Sequence, residues 1–313
     1  MKKKYNQMKT KFLYILLLIC TVCYGQSKIT SEEILIHNDS IELPGTLTYS
    51  NTKTPLVIWI HGSGNVDRNG NQGTVVKANY IKQFRDEINT QDIAFYSYDK
   101  RTSNPKNFKF LKGVLIDSFV DDAKKVIDYF KNDNRFSEII LVGHSQGSLI
   151  AMLASKNTNK YISIAGPSTS IDKTIIEQIT NQNATFGKVA EAHFKELFET
   201  GDIKQVNPLL VSVFSKPNFP FLINWAKYNP TEEIQKITIP TLIINGTKDL
   251  QVKIEDANAL HTALPSSELV LIENMNHVLK NIEKDADNMN SYYSEKFSLS
   301  QKLITTIVAF IKK

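Results

Sequence analysis

The chain reads as an α/β protein: a doubly wound, mostly parallel sheet of about eight strands, opened by an N-terminal antiparallel hairpin and interrupted by an inserted helical cap. Three observations predict this. Short, uniformly apolar runs recur along the sequence, the pattern of parallel strands buried on both faces. Segments with apolar residues three and four apart separate most of them, so the connections are βαβ crossovers. One interval, 167–236, is too long for a simple connection inside a compact domain and must carry structure of its own.

The first element is a targeting segment. Met1-Lys2-Lys3-Lys4, Lys9 and Lys11 precede the apolar run 12–20, and Cys23-Tyr24-Gly25 closes the segment. A basic start, an apolar stretch short for a membrane span and a small residue at the end predict a signal peptide, residues 1–25, cut after Gly25. An uncleaved anchor is the alternative. Lipid attachment at Cys20 or Cys23 is disfavoured by the bulky Ile19 and Val22 before them. Of 37 basic side chains against 32 acidic ones, five lysines and no acid lie in this segment, so the exported chain is neutral. No nucleic acid or anionic membrane is therefore implied as a partner, and no stable span remains after cleavage. Both cysteines leave as well, which excludes disulfides, a cysteine nucleophile and cysteine metal ligands from the exported, periplasmic or extracellular protein.

The hairpin comes next, from alternation over 33–37 and 41–49 around the turn Asn38-Asp39-Ser40. Buried strands follow at 56–60, 93–98, 139–142, 161–165, 241–244 and 269–272, with helices at 80–88, 119–130, 145–155, 254–264 and 299–311. Within the long interval, helical spacing over 171–179 and 189–198 and the apolar Phe214, Phe219, Phe221, Leu222 and Trp225 predict a cap over the end of the sheet. The division is thus a leader (1–25), a first core segment (26–166), the cap (167–236) and a second core segment (237–313).

Between the strand 139–142 and the helix 145–155 stands Gly143-His144-Ser145-Gln146-Gly147. A serine on so tight a strand-to-helix turn needs flanking glycines and is presented at the sheet edge as a nucleophile. Its hydroxyl requires a base, and the base an orienting acid. Of six histidines, His277 alone follows the last strand on a loop, where it can reach a serine at the same edge; His144 is fixed beside the serine in the turn with its side chain directed away, and His37, His61, His193 and His261 fall on other elements. Asp249, just after the strand 241–244, is the acid, with Glu255, Asp256 and Asp99 as rivals. The order Ser145, Asp249, His277 is that of one triad arrangement and of neither common protease order. Oxyanion donors are expected from the backbone N–H of Gln146 and from Ser63, then Gly64, in His61-Gly62-Ser63-Gly64. Asp67, Asn69 and Asn71 imitate a calcium loop, but Gln72 stands where its turn glycine belongs. No metal and no cofactor are expected.

GHSQG, HGSG, GTKD and the final NH, in this order, resemble the α/β-hydrolase superfamily over nearly the whole exported chain. LPGTL, HGSGNVDRNG, SYDKR, AGPS, NGTKDLQV and MNH are similar to bacterial carboxylesterases and serine-aminopeptidase-like (S33-type) hydrolases, whose loop usually reads close to HGSGPQDRDG. Asn65, Val66 and Asn69 depart from that wording, and Ser103-Asn104 replaces a glycine-rich end; these departures are expected at the pocket rim. The resemblance implies a serine esterase acting on a small-molecule ester or a short peptide-like substrate. An aminopeptidase would need an acid in the cap, for which Glu177, Glu191, Glu196 and Glu199 are available; a hydrolase scaffold with idle chemistry that only binds is the other class. The sequence does not settle the oligomeric state.

Overall fold

The computed structural model describes residues 28–50 and 53–313; the expected leader lies outside them. Eight strands form one sheet in the order β1-β2-β4-β3-β5-β6-β7-β8. They are β1 (Thr30–Asn38), β2 (Ile41–Tyr49), β3 (Thr54–Ile60), β4 (Ala94–Tyr98), β5 (Phe136–His144), β6 (Lys160–Ile164), β7 (Thr241–Gly246) and β8 (Glu268–Ile272). The hairpin β1–β2 is antiparallel and β2 joins β4 antiparallel; every pairing from β4 to β8 is parallel. The expected architecture is what forms, with the hairpin at the edge.

Side-chain alternation explains why the strands are apolar throughout. Leu56, Ile58 and Ile60 of β3 point into one apolar cluster, while Val57 and Trp59 point into another on the opposite face. Helices Ile116–Phe130, Gln146–Ala154 and Ile254–Ala263 cover the first face through residues such as Val126, Ile150 and Leu260. Helices Tyr80–Asn89 and Gln301–Ile311 cover the second through Phe84, Ile88, Leu303 and Ile307. Trp59 is fully buried there, 5.1 Å from the Phe84 ring. Burying a side chain of this kind contributes roughly 1.5–3 kcal/mol.

The interval 167–236 is helical. Helices Ile171–Gln182, Ala184–Thr200 and Phe219–Trp225 gather Ala190, Phe194, Leu197, Phe214, Phe219 and Leu222 into a third cluster separate from the two sheet faces. The longest of these starts where the Asn183 side chain accepts from the N–H groups of Thr185 and Phe186, and it stops at Gly201 with φ 77°.

One segment was not anticipated. After His277 the chain forms a short helix, Asp285–Ser291, before entering the last helix, because Lys280 and Leu299 form a β-bridge that closes the excursion. Its polar, asparagine-rich wording gives no apolar period to read. Among the described residues no helix is long and apolar enough to cross a membrane.

Candidate active site

β5 ends at His144 and the next helix begins at Gln146, leaving Ser145 between them at φ 55°, ψ −123°. A residue with a side chain avoids that region, and holding it there costs on the order of 1–3 kcal/mol. The surroundings enforce it: Ser145 N–H donates to Ile164 O at 2.9 Å and Ser145 O accepts from Ser148 N–H at 2.9 Å. The flanking glycines are needed for close approach. A Cβ on Gly147 would lie 2.2 Å from Ile60 O, and one on Gly143 2.4 Å from Gly147 O. Ser145 is half-buried between the buried His144 and Gln146, so the turn holds the serine out at the carboxyl edge of the sheet.

Asp249 follows β7 and His277 follows β8, which brings both to that edge. His277 Nδ1 and Asp249 Oδ2 are 2.8 Å apart, with the two side chains 6% and 1% exposed. Asp249 Oδ1 accepts from Gln251 N–H at 2.7 Å and Val252 N–H at 2.9 Å, so the carboxylate is oriented from both sides. This contact uses Nδ1 and leaves Nε2 of His277 without a hydrogen-bond partner among the described residues. The elbow reaches His277 through His144, whose Nε2 bonds His277 O at 2.8 Å and whose ring centroid is 4.8 Å from that of His277. Burial holds His144 well below the ordinary histidine range, and the neighbouring His277 adds to this. The neutral ring therefore donates from Nε2 to the carbonyl. From the sequence, His144 was only a neighbour directed away from the serine; it is a strut between the serine turn and the histidine loop.

The rivals are engaged elsewhere. Asp256 accepts from Ser168 N–H at 2.8 Å and its hydroxyl at 2.7 Å, Glu255 is exposed on its helix, and Asp99 pairs with Arg68. Among the other histidines, His193 accepts from Asn207 N–H inside the cap, His261 contacts Ser267, and His61 bonds Tyr98 O.

Sequence reading missed a clamp on the loops that carry Asp249 and His277. Asn276 Nδ2 donates to Asn288 Oδ1 at 3.0 Å and Ser291 Oγ at 2.7 Å, while Asn276 Oδ1 accepts from Lys280 N–H at 3.0 Å. Asn288 Nδ2 donates to Lys248 O at 2.8 Å. The helix Asp285–Ser291 thus holds the residue before Asp249 and the residue before His277 together. The only sequence signal was the asparagine beside the histidine.

The loop 62–64 lies against the serine, since a Cβ on Gly62 would be 3.1 Å from Ser145 Cβ. Ser63 and Gly64 are exposed on it, and Gly64 has φ 91°. Behind the loop, each charged residue of Tyr98-Asp99-Lys100-Arg101 has a partner. Arg68 forks onto Asp99 at 2.9–3.0 Å, Arg101 forks onto Asp122 at 2.7 Å through two nitrogens, and Lys100 Nζ donates to Gly62 O and Gln146 Oε1, both at 2.7 Å. Burial lowers the Lys100 ammonium to about 7, and burial raises the Asp122 carboxyl against the pull of Arg101. Asp67 Oδ1 accepts from the N–H groups of Asn69 and Asn71, so the calcium-like wording is a loop that staples itself. Among the described residues no group of three or more His, Cys, Asp or Glu is placed to hold a metal ion. Two of the expected rim positions are elsewhere: Val66 is 2% exposed in the apolar cluster behind the sheet, and Asn104 is buried with its Nδ2 on Glu42 O.

The family model described as BD-FAE matches residues 46–264, more than half of the chain. The chain is similar to esterase EstD of Thermotoga maritima, at 21% identity over 292 residues covering 87% of this chain. It spans 66% of EstD's length. Among solved structures, it superposes on Est1E from Butyrivibrio proteoclasticus with ferulic acid bound at a TM-score of 0.57, with 18% identity, 90% of this chain and 100% of that one. Esterase Pf2001 of Pyrococcus furiosus gives a TM-score of 0.60 with 15% identity, covering 91% of each chain. The sheet order, the elbow at Ser145 and these likenesses agree on the α/β-hydrolase fold, and the extent of the family match means that the chain belongs to the BD-FAE family.

Proposed function

We propose that the protein is an exported serine hydrolase that cleaves carboxylic esters. The observation that carries this is Ser145, held at positive φ on the turn between β5 and its helix, with the Asp249–His277 pair at the ends of β7 and β8. Ser145 Oγ attacks the ester carbonyl carbon as its proton passes to His277 Nε2, while Asp249 holds the ring's other nitrogen and stabilises the imidazolium. The carbonyl oxygen becomes an oxyanion facing the amides of Gln146 and Ser63, with Gly64 beside them. Collapse breaks the ester bond, and the alcohol leaves with the proton from His277. Water then attacks the acyl-serine, giving one proton to His277 that returns to Ser145 as the acid departs.

The interval 167–236 is the part that selects the acyl or alcohol group. EstD and Pf2001 are esterases by name, and Est1E is a structure with ferulic acid bound, so esters of modest acyl size and hydroxycinnamate esters are the first substrates to offer. For an aminopeptidase, two of the four candidate acids are already engaged: Glu177 pairs with Lys253 at 2.7 Å and Glu196 accepts from Lys204 N–H at 3.1 Å. The deciding experiment combines a fluorophosphonate probe with a substrate panel. The probe is expected to label Ser145 and to miss Ser145→Ala, and 4-nitrophenyl esters of rising length and methyl ferulate are expected to be hydrolysed while aminoacyl anilides are not. A folded protein that the probe leaves unlabelled is a binding module; anilide turnover above ester turnover makes it a peptidase.

Export rests on the basic start, the apolar run 12–20 and the small Gly25. Protein recovered outside the cytoplasm is expected to begin at Gln26 by mass; an intact Met1 on cytosolic protein overturns this.

A further inference from the structure

Lys100 has no part in the chemistry just described, yet it is 4% exposed and lies beside both groups proposed to hold the oxyanion. Its Nζ donates to Gly62 O and to Gln146 Oε1 at 2.7 Å each. Its backbone N–H donates to Val66 O at 3.2 Å, so one residue grips the loop 62–66 at both ends. The acceptor on Gly62 is the carbonyl of the peptide unit whose N–H belongs to Ser63. A cation bonded to the carbonyl of a peptide withdraws electron density and makes the N–H of the same unit a stronger donor. Through Gln146 Oε1 the same ammonium ties down the side chain of the residue that supplies the other amide.

We propose that Lys100 is a positioning residue for the oxyanion hole, bracing Ser63 and Gln146 together and polarising the Gly62–Ser63 peptide toward the transition state. This rests on the reading of Ser145 as the nucleophile. A long, flexible, strongly hydrated side chain is a costly choice at a buried site unless its charge is used. Lys100 Nζ lies 4.6 Å from the centre of the Phe119 ring, which is T-shaped against Phe221 of the cap, so an apolar cover keeps water from competing for the ammonium. The charged groups around it are accounted for. Asp122 and Arg101 satisfy each other, Asp99 is held by Arg68, and burial keeps His61 neutral at ordinary pH, with its range lowered to about 4. Asp122 favours the charged form of Lys100 while burial opposes it more strongly. The bracing is therefore strongest below about pH 7; above it a neutral amine retains two N–H donors for the same two acceptors but loses the polarising charge.

The test uses the intact protein, Lys100→Met and Lys100→Gln, with a 4-nitrophenyl ester as substrate and an alkyl trifluoromethyl ketone, which adds to the serine as a charged tetrahedral adduct. For Lys100→Met, kcat is expected to fall about 10- to 100-fold, less than the loss of a direct oxyanion donor, with KM within about threefold. Affinity for the ketone is expected to fall by the same factor as kcat, and Lys100→Gln, which keeps a neutral donor, is expected to lie between. The ratio of the ketone's affinity for the wild type to that for either variant should also fall from pH 6 to pH 9 as Lys100 loses its charge. A kcat and ketone affinity unchanged in the variants, or losses confined to KM and thermal stability, overturn the proposal. If Lys100→Met does not fold, Lys100→Gln and the wild-type pH series decide it. Fluorophosphonate labelling of wild-type Ser145 separates the two readings: labelled serine with indifferent Lys100 variants sinks only the brace, whereas unlabelled wild type sinks the nucleophile.

Discussion

The carboxyl edge of the sheet and the interval 167–236, the expected cap, are built in opposite ways. At the edge, polar contacts fix the side chains that follow the strands: Asp249 by two amides and a histidine, His277 by Asp249 and His144, Asn276 by three partners. The cap has a small apolar core of its own around Phe194, Phe214 and Phe219, while its Ile171, Trp225 and Ile234 pack into the apolar cluster on one sheet face, with a few polar links beside them. These are Ser168 to Asp256, Glu177 to Lys253, Gln178 to Gln251 O, and Asn224 and Tyr228 to the start of helix Ile116–Phe130. The difference teaches where change is tolerated. Displacing one contact at the edge shifts the candidate side chains directly, whereas the cluster around Phe194, Phe214 and Phe219 can be repacked without touching them.

The largest effect that this contrast predicts is at the acid. Asp249→Asn keeps the shape but can no longer accept the His277 proton as a carboxylate does, so kcat is expected to drop on the order of 10⁴-fold with the melting temperature little changed. Steady-state kinetics on a 4-nitrophenyl ester checks it. Near-normal turnover would mean that the edge does not work through this carboxylate, and the contrast would lose its stronger half.

A middle-sized effect is expected in stability against pH. His61 is 2% exposed at the start of the loop 62–64, and burial lowers it from 6.5 to about 4. The unfolded chain takes up a proton there below about pH 6.5 while the folded protein refuses it until about 4. Its contribution is therefore complete above pH 6.5 and is eroded as the pH falls toward 4, by about 3 kcal/mol. His144 acts in the same direction. Urea midpoints at pH 7 and pH 4.5 should show the loss, and His61→Gln should flatten it. An acid slope that His61→Gln leaves unchanged would shift the sensitivity to His144, and one that His144→Gln also leaves unchanged would move it away from the edge, with His193 of the cap, also lowered by burial, as the next group to test.

The same contrast governs what was legible in the sequence. The placement of Ser145, Asp249 and His277 at one edge was readable because each follows a strand whose apolar run announces itself, and strand ends of a parallel sheet share one edge. The cap's helices 171–179 and 189–198 were readable from spacing, and the structure extends them to Ile171–Gln182 and Ala184–Thr200 by way of the Asn183 cap. What escaped were contacts between residues far apart in the chain that carry no periodic signal: Lys100 on Gly62 and Gln146, His144 on His277, and Asn288 on Asn276 and Lys248. Val66 escaped for another reason, since a departure from a family's wording says nothing of which way a side chain points, and here it points into the core.

The smallest effect is expected where the cap meets the core. Asn224 is 7% exposed, and its Oδ1 accepts from Ile116 N–H at 3.0 Å while its Nδ2 donates to Asp117 at 2.9 Å. A cap residue thereby satisfies an orphan donor at the start of a core helix whose own N-cap, Leu115, has no side-chain oxygen to offer. Asn224→Ala strands that N–H and should cost about 1–3 kcal/mol of stability. Because Phe119 and Phe221 still pack across the same seam, the cap should stay docked. Turnover of a 4-nitrophenyl acetate that barely reaches the cap is then expected to stay within about twofold, while KM for a long-chain ester rises severalfold, since only the longer acyl group reads the cap's position. A tenfold fall in kcat on the acetate would mean that cap and edge are one mechanical unit, with the Phe221–Phe119–Lys100 stack as the route by which the cap reaches the oxyanion donors.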